Sequence, residues 1–212
     1  MNLLLPERGL ILPRRMRPQR VPHSPRGFIL NPFVLSGGDG GGGGSPVLLY
    51  DSIVGGGGQW PFGNSSPADY SGQELFTDSV SRTINKIVGT ITLGGSPSGR
   101  TVYCAIYADS GANHDLGSVV QVSDPVSQDP GWNGSTPVNV DFNFSSPTPL
   151  APSTLYHIVW YSDTNAFGGG LNVQFVFSDL IPGQLSHWDS GGINQYPGTF
   201  PGADVQMQIW GN

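Results

Sequence analysis

The clearest alternation in the chain is Val138–Phe144, where Val138, Val140, Phe142 and Phe144 fall on one side and Asn139, Asp141 and Asn143 on the other. Successive side chains of a strand point to opposite faces, so this pattern predicts a strand with one face on a core and one toward water. The same period of two recurs elsewhere in the chain. Ile84–Leu93 predicts a strand with Asn85, Ile87, Gly89, Ile91 and Leu93 sharing a face, and Gly89 marks a candidate bulge. Arg100–Asp109 sets Val102, Cys104, Ile106 and Ala108 against Tyr103 and Tyr107. Thr154–Tyr161 is apolar on both faces, which predicts a central strand. Val47–Tyr50, Gln73–Thr77, Ser118–Ser123, Leu171–Phe177 and Asp204–Trp210 complete the expected set, with Ser186–Asp189 as an edge candidate. Eight or nine strands joined by Gly, Pro, Asn and Asp turns predict an all-β fold, an antiparallel sandwich of jelly-roll type. No helix and no repeat of fixed period is expected.

The alternation stops before residue 47. In residues 1–35, proline recurs at 6, 13, 18, 22, 25 and 32. Proline lacks a backbone donor and blocks helix interiors, so this segment reads as an arm extended wherever it is ordered, with a disordered tail as the alternative that composition leaves open. Its apolar patches (Leu3–Leu5, Leu10–Leu12, Phe28–Leu30, Phe33–Leu35) need a surface supplied by something else. Gly37–Gly44, broken only by Asp39, makes residues 36–46 a flexible spacer with a random-coil span of ~18 Å. Residues 47–212, about 160 of the 212, suffice for one core. Charged residues are only 11% of the chain, against roughly 25% in a typical soluble domain, and Gly and Pro together number 51. One Lys, two Glu and three Met leave little material for helices.

Charge divides the chain at the same place. Arg8, Arg14, Arg15, Arg17, Arg20 and Arg26 face only Glu7, which makes the arm +5, while three basic and fourteen acidic residues make the remainder −11. A basic peptide tethered to an acidic module reads as a docking arm. Arginine's planar fork pairs with carboxylates, so Arg14, Arg15, Arg17, Arg20 and Arg26 are docking candidates, with Phe28, Ile29 and Phe33 to fill apolar grooves. Arginines also neutralise phosphates. The acidic remainder and the lack of aromatics interleaved with these arginines favour a protein partner over nucleic acid. Cys104 is alone and sits in an apolar strand, which excludes an intrachain disulfide and predicts a buried, inert thiol. Pro6 and Glu7 interrupt the apolar Met1–Leu5, so no export signal is read, and no stretch approaches the ~18 apolar residues of a membrane span.

The motifs that announce catalysis are absent from the sequence: no Gly-x-Ser-x-Gly elbow, no His-Glu-x-x-His, no phosphate loop. No enzyme activity and no cofactor are expected. His187-Trp188-Asp189 reads as a surface cluster near a turn. Asp109, Asn113 and Asp115 offer oxygens at alternate positions of one loop, the donor type calcium takes, although the same residues are ordinary turn formers. Trp160 and Trp210 lie in predicted strands and read as core. Trp60, Trp132 and Trp188 lie in stretches read as loops, where an aromatic face can stack on a sugar ring. These three are the glycan-binding candidates.

Two stretches resemble known proteins. Arg26-Gly27-Phe28-Ile29-Leu30-Asn31-Pro32-Phe33-Val34-Leu35, followed by glycines and Val47-Leu48-Leu49-Tyr50, looks like the amino-terminal tag of tailed-bacteriophage virion proteins, which precedes a jelly-roll module. Gly131-Trp132, Val138–Phe144 and the run Ser145–Trp160 are similar to sandwich domains of bacterial surface proteins and phage fibres, related in shape to carbohydrate-binding modules. The chain departs from that pattern at Pro152-Ser153, where glycine usually precedes the threonine. The resemblance implies a structural protein exposed on a virion and made in a host cytoplasm. It would dock on the major capsid protein or on tail components as head decoration or head fibre, as a homo-oligomer, for which a trimer is one candidate. The alternative it implies is a tail-associated module that recognises a host surface glycan.

Overall fold

A computed structural model of the chain describes residues 45–62, 70–93, 99–111, 115–127, 136–163, 171–178, 185–188 and 202–212, and at 60, 93 and 185–188 it describes the backbone alone. These strands belong to one compact unit, Gly43–Asn212. In chain order they are β1 (Val47–Asp51), β2 (Gly58–Phe62), β3 (Tyr70–Phe76), β4 (Arg82–Leu93), β5 (Thr101–Asp109), β6 (Leu116–Val122) and β7 (Val126–Ser127). There follow β8 (Val138–Asn143), β9 (Pro149–Leu150), β10 (Leu155–Ser162), β11 (Leu171–Val176), β12 (Leu185–Trp188), β13 (Asp204–Val205) and β14 (Met207–Gly211). No helix occurs among the described residues.

The strands form two antiparallel sheets. The first runs β1-β14-β4-β11-β13, with β8 and β9 on β4 and β2 on β11. The second runs β12-β3-β10-β5-β6, with β7 on β5. Their inner faces share one apolar core: Ile84, Ile87, Ile91, Phe142, Val173, Met207 and Ile209 from the first sheet meet Leu75, Val102, Cys104, Ile106, Ile158 and Trp160 from the second. The protein is therefore an all-β sandwich. The period-two reading works where it is cleanest, since Val140, Phe142 and Phe144 are buried while Asn139, Asp141 and Asn143 are exposed. β10, apolar on both faces, is central between β3 and β5. Burial pushes the Cys104 thiol well above its ordinary value, which keeps it protonated and unreactive.

Several expectations need correction. Gly89 is no bulge: it holds regular register with both Met207 and Val140. Its missing side chain is what Trp160 needs, because a Cβ there would lie 2.8 Å from the indole Nε1. The irregularity of β4 falls at Asn85, where the register passes from Lys86↔Trp210 to Ile84↔Gly211. The extra residue returns Ile84, rather than Asn85, to the core. Trp60-Pro61-Phe62, read as a turn, lies in β2 and pairs with β11. The proline is tolerated because β2 has β11 on one side only, so a donor is dispensable on the other. Asp204–Trp210 divides into β13 and β14 at Gln206, whose backbone N–H donates to Gln174 and whose carbonyl accepts from Thr90. Fourteen strands thus stand among the described residues against the eight or nine expected, because two-residue bridges such as β7, β9 and β13 carry no alternation to read.

Trp160 is fully buried and meets Phe142 edge-on at 6.5 Å. Gly89→Ala inserts a methyl against this ring in a core without slack, and is expected to destabilise the fold by about 1–3 kcal/mol. Urea denaturation measures it; an unchanged midpoint would show that the indole has room to move.

Candidate functional site

Each sheet turns its second face outward, and the two outward faces differ in chemistry. On the second sheet, the strand alternation that sends Ile158 and Trp160 inward sends His157, Val159 and Tyr161 outward. Val159, Ala105, Tyr107 and Leu116 form a small buried cluster there, with Tyr70 and Tyr161 packed on it. Tyr161 pairs across the strands with Tyr103, their rings stacked at 5.2 Å, and meets Tyr70 edge-on at 5.6 Å. Trp188 takes the register position opposite Tyr70. Packing raises the phenol pKa values: burial, then the neighbouring Tyr70 and Tyr103, pushes Tyr161 up to about 12, and burial pushes Tyr107 higher still.

Beyond the tyrosines lies a polar row. His157, fully buried, sits opposite both Glu74 and Tyr107, and its Nε2 is 2.9 Å from Asp109 Oδ1. Asp109 Oδ2 accepts the Gly111 N–H at 2.8 Å. Both carboxylate oxygens of Asp109 thus have protein partners, one holding a turn and the other a histidine. Asp115 offers its backbone carbonyl to the Ser110 N–H at 3.0 Å, which closes the same loop. Of the calcium candidates, Asn113 lies outside the described residues. Among those described, no three His, Cys, Asp or Glu side chains converge as a metal site.

The first sheet turns out a face of amides, hydroxyls and one ion pair. Lys86 Nζ lies 3.2 Å from Asp141 Oδ2 and 5.2 Å from the centroid of the Trp210 ring. This corrects the reading of Trp210 as core: with Met207 and Ile209 inward, the alternation of β14 sends Trp210 outward, half-buried under Lys86. Farther along β4, Thr90 and Thr92 stand beside Asn139 of β8, Gln174 of β11 and Gln206. With Ile53, Pro137 and the loop Gly55–Gly57, Thr90, Asn139, Gln174 and Gln206 line a cleft of about 340 Å³.

The other expected site residues are placed as follows. Trp60 belongs to β2, opposite the fully buried Val173, and Trp188 ends the edge strand β12; neither lies in a loop. Trp132 and the arm residues Arg14, Arg15, Arg17, Arg20, Arg26, Phe28, Ile29 and Phe33 lie outside the described residues. The structure brings Trp188 to the tyrosine row, a neighbourhood that sequence reasoning missed. It also gathers Thr90, Asn139 and Gln174 from three strands with Gln206 from the break between β13 and β14, four polar positions from distant parts of the chain. The outward placing of Asn139 had a signal in the alternation of Val138–Phe144, and that of Thr90 in the alternation of Ile84–Leu93; their convergence with Gln174 and Gln206 had none. No protein-family model matches the chain, and no curated protein matches it.

The raised phenols carry a pH dependence. Unfolded tyrosines ionise near their ordinary 10.0, whereas folded Tyr161 stays neutral to about 12, so its contribution to stability is full below pH 10 and lost as pH rises through that window. The urea midpoint is expected to fall between about pH 9.5 and 11.5, and Tyr161→Phe to flatten part of the fall. An identical profile in the variant would show that the loss arises elsewhere.

Proposed function

We propose that this protein is a non-enzymatic structural component of a tailed-bacteriophage particle, held to the capsid by its basic arm as head decoration or head fibre and displaying its β-sandwich outward. The observation that carries this reading is the division of the chain: a Pro/Arg-rich arm of +5, a glycine tract, then a self-contained unit beginning at Gly43. That unit is closed on itself, since its first strand pairs with its last through Val47↔Gly211 and Leu48↔Trp210. The described chain therefore enters and leaves the sandwich at one corner, the geometry of a module hung from a tether. An arm broken by six prolines would gain order by lying against a neighbouring subunit, and its arginines suit an acidic surface. The tyrosine face supplies a surface for contact between copies, which would act at high effective concentration on a symmetric shell.

A second reading, a tail-associated module that recognises a host glycan, is favoured by the uncharged cleft on the first sheet.

Removal of residues 1–35 tests the docking arm. The truncated protein is expected to keep the far-UV spectrum and thermal midpoint of the sandwich and to be missing from purified particles. Particles that carry it at the level of the full chain would defeat the docking role of the arm.

A further inference from the structure

We infer that the cleft between Gly55–Gly57 and the outward face of β4 and β8 is a subsite for a neutral saccharide. The floor of the cleft is the middle of a sheet. Thr90 pairs with Asn139 of β8 on one side, and on the other its N–H donates to the Gln206 carbonyl at 3.0 Å. The backbone at the floor is already engaged, so a ligand meets side chains. An extended peptide, which binds by completing an open strand edge, finds no such edge at Thr90.

One wall is a glycine loop held in place by a single side chain. Gln206 Oε1 accepts the Gly55 N–H at 3.1 Å, and Gln206 Nε2 donates to the Gly56 carbonyl. Gly55 and Gly56 have φ of +73° and +76°, a conformation that side-chain-bearing residues rarely adopt, and a Cβ at either would meet nothing within 4 Å. The loop thus presents backbone alone to the cleft, at a fixed height. Ser52, which donates to the Val205 carbonyl at 2.6 Å, anchors its start.

The lining determines the ligand chemistry. Ile53, Gly55, Gly56, Gly57, Thr90, Pro137, Asn139, Gln174 and Gln206 include no ionisable group. A charged ligand finds no counter-charge here, and a wholly apolar one leaves the amides unsatisfied. Thr90 Oγ1 donates to Asn139 Oδ1 at 2.9 Å. That bond leaves the Thr90 lone pairs as acceptors and the Asn139 Nδ2 hydrogens as donors, one of each on neighbouring strands. Gln174 Nε2 donates to Thr92 Oγ1 at 3.1 Å, which leaves Gln174 Oε1 as a further acceptor. Ile53 and Pro137 add two apolar surfaces. A sugar ring is an apolar C–H face with a hydroxyl rim, and the lining offers a partner to each. The volume of about 340 Å³ is near the lower end of small-ligand pockets, enough for one or two rings.

This inference rests on the second reading given above, and not on docking by the arm. Calorimetric titration of the full-length protein with short neutral oligosaccharides of glucose, mannose and galactose tests it, with an acidic oligogalacturonate as the charged control. One neutral series is expected to bind at micromolar to millimolar concentration, and Asn139→Ala and Thr90→Val each to weaken it about tenfold. Neither substitution is expected to unfold the sandwich, since Asn139 is exposed and valine conserves the volume of the buried Thr90; each loses the Thr90–Asn139 hydrogen bond, so a small fall in thermal midpoint is expected in both. Absence of binding by every neutral series, equal binding of the galacturonate, or preference for an extended neutral peptide overturns the assignment. Neutral-sugar binding that survives both variants and is lost in Trp132→Ala or Trp188→Ala overturns the cleft while leaving glycan recognition standing.

Discussion

The sandwich depends on one close approach between its sheets. Trp160, the largest fully buried side chain, reaches from β10 to β4 and meets a strand position with no side chain at Gly89. Glycine in a strand interior ordinarily costs stability, because it gains entropy in the unfolded chain and packs nothing. Here that cost is offset by the burial of an indole, a side chain worth several times a methyl group in apolar area. Phe142, on the neighbouring strand β8, meets the same ring edge-on, and Ile87 and Ile91 continue the row along β4. Because β4 also pairs with β8, β9, β11 and β14, the fit at Gly89 fixes where most of the first sheet lies over the second.

With the inner faces committed to each other, the chemistry available to partners lies outside. The outward faces are unlike because the strands supplying them have unlike alternations. β10 is apolar at every other outward position as well as inward, so tyrosines and a buried histidine accumulate on its sheet. β8 and β14 place Asn139, Asp141, Asn143, Gln208 and Trp210 outward, and a polar face results. Tyrosines packed ring to ring suit a broad contact with another folded surface, whereas amides and hydroxyls around a recess suit a small polar ligand. Both faces can be used at once, because they lie on opposite sides of the core.

Much of this was readable along the chain. Ten of the eleven strands longer than two residues coincide with expected segments, since burial on one face imposes period two on any half-exposed strand; β2 is the exception, because Gly58–Phe62 carries no alternation. Cys104 and Trp160 were placed correctly because their neighbours at two-residue spacing are apolar. The failures share a cause. Asn85 looked like a core-face residue because a one-residue bulge shifts every position beyond it to the other side. Trp210 looked like core because aromaticity does not say which face of a half-buried strand a residue takes; only the inward commitment of Met207 and Ile209 decides that.

The polar cleft was out of reach for a related reason. Thr90, Asn139 and Gln174 are ordinary strand residues and Gln206 the break between β13 and β14, separated by as many as 116 positions, and no local spacing marks them as partners. Sequence alone determined the class of fold, the separation of a basic arm from an acidic module, and the period that tells core from solvent. Those properties follow from local chemistry: charge, proline and glycine, and alternation. Tertiary structure decided which strands became neighbours, in what register, and therefore which side chains stand together on each outward face. Register is set by the fit of the whole core, and a fit among residues far apart in the chain leaves no pattern in any one stretch of it.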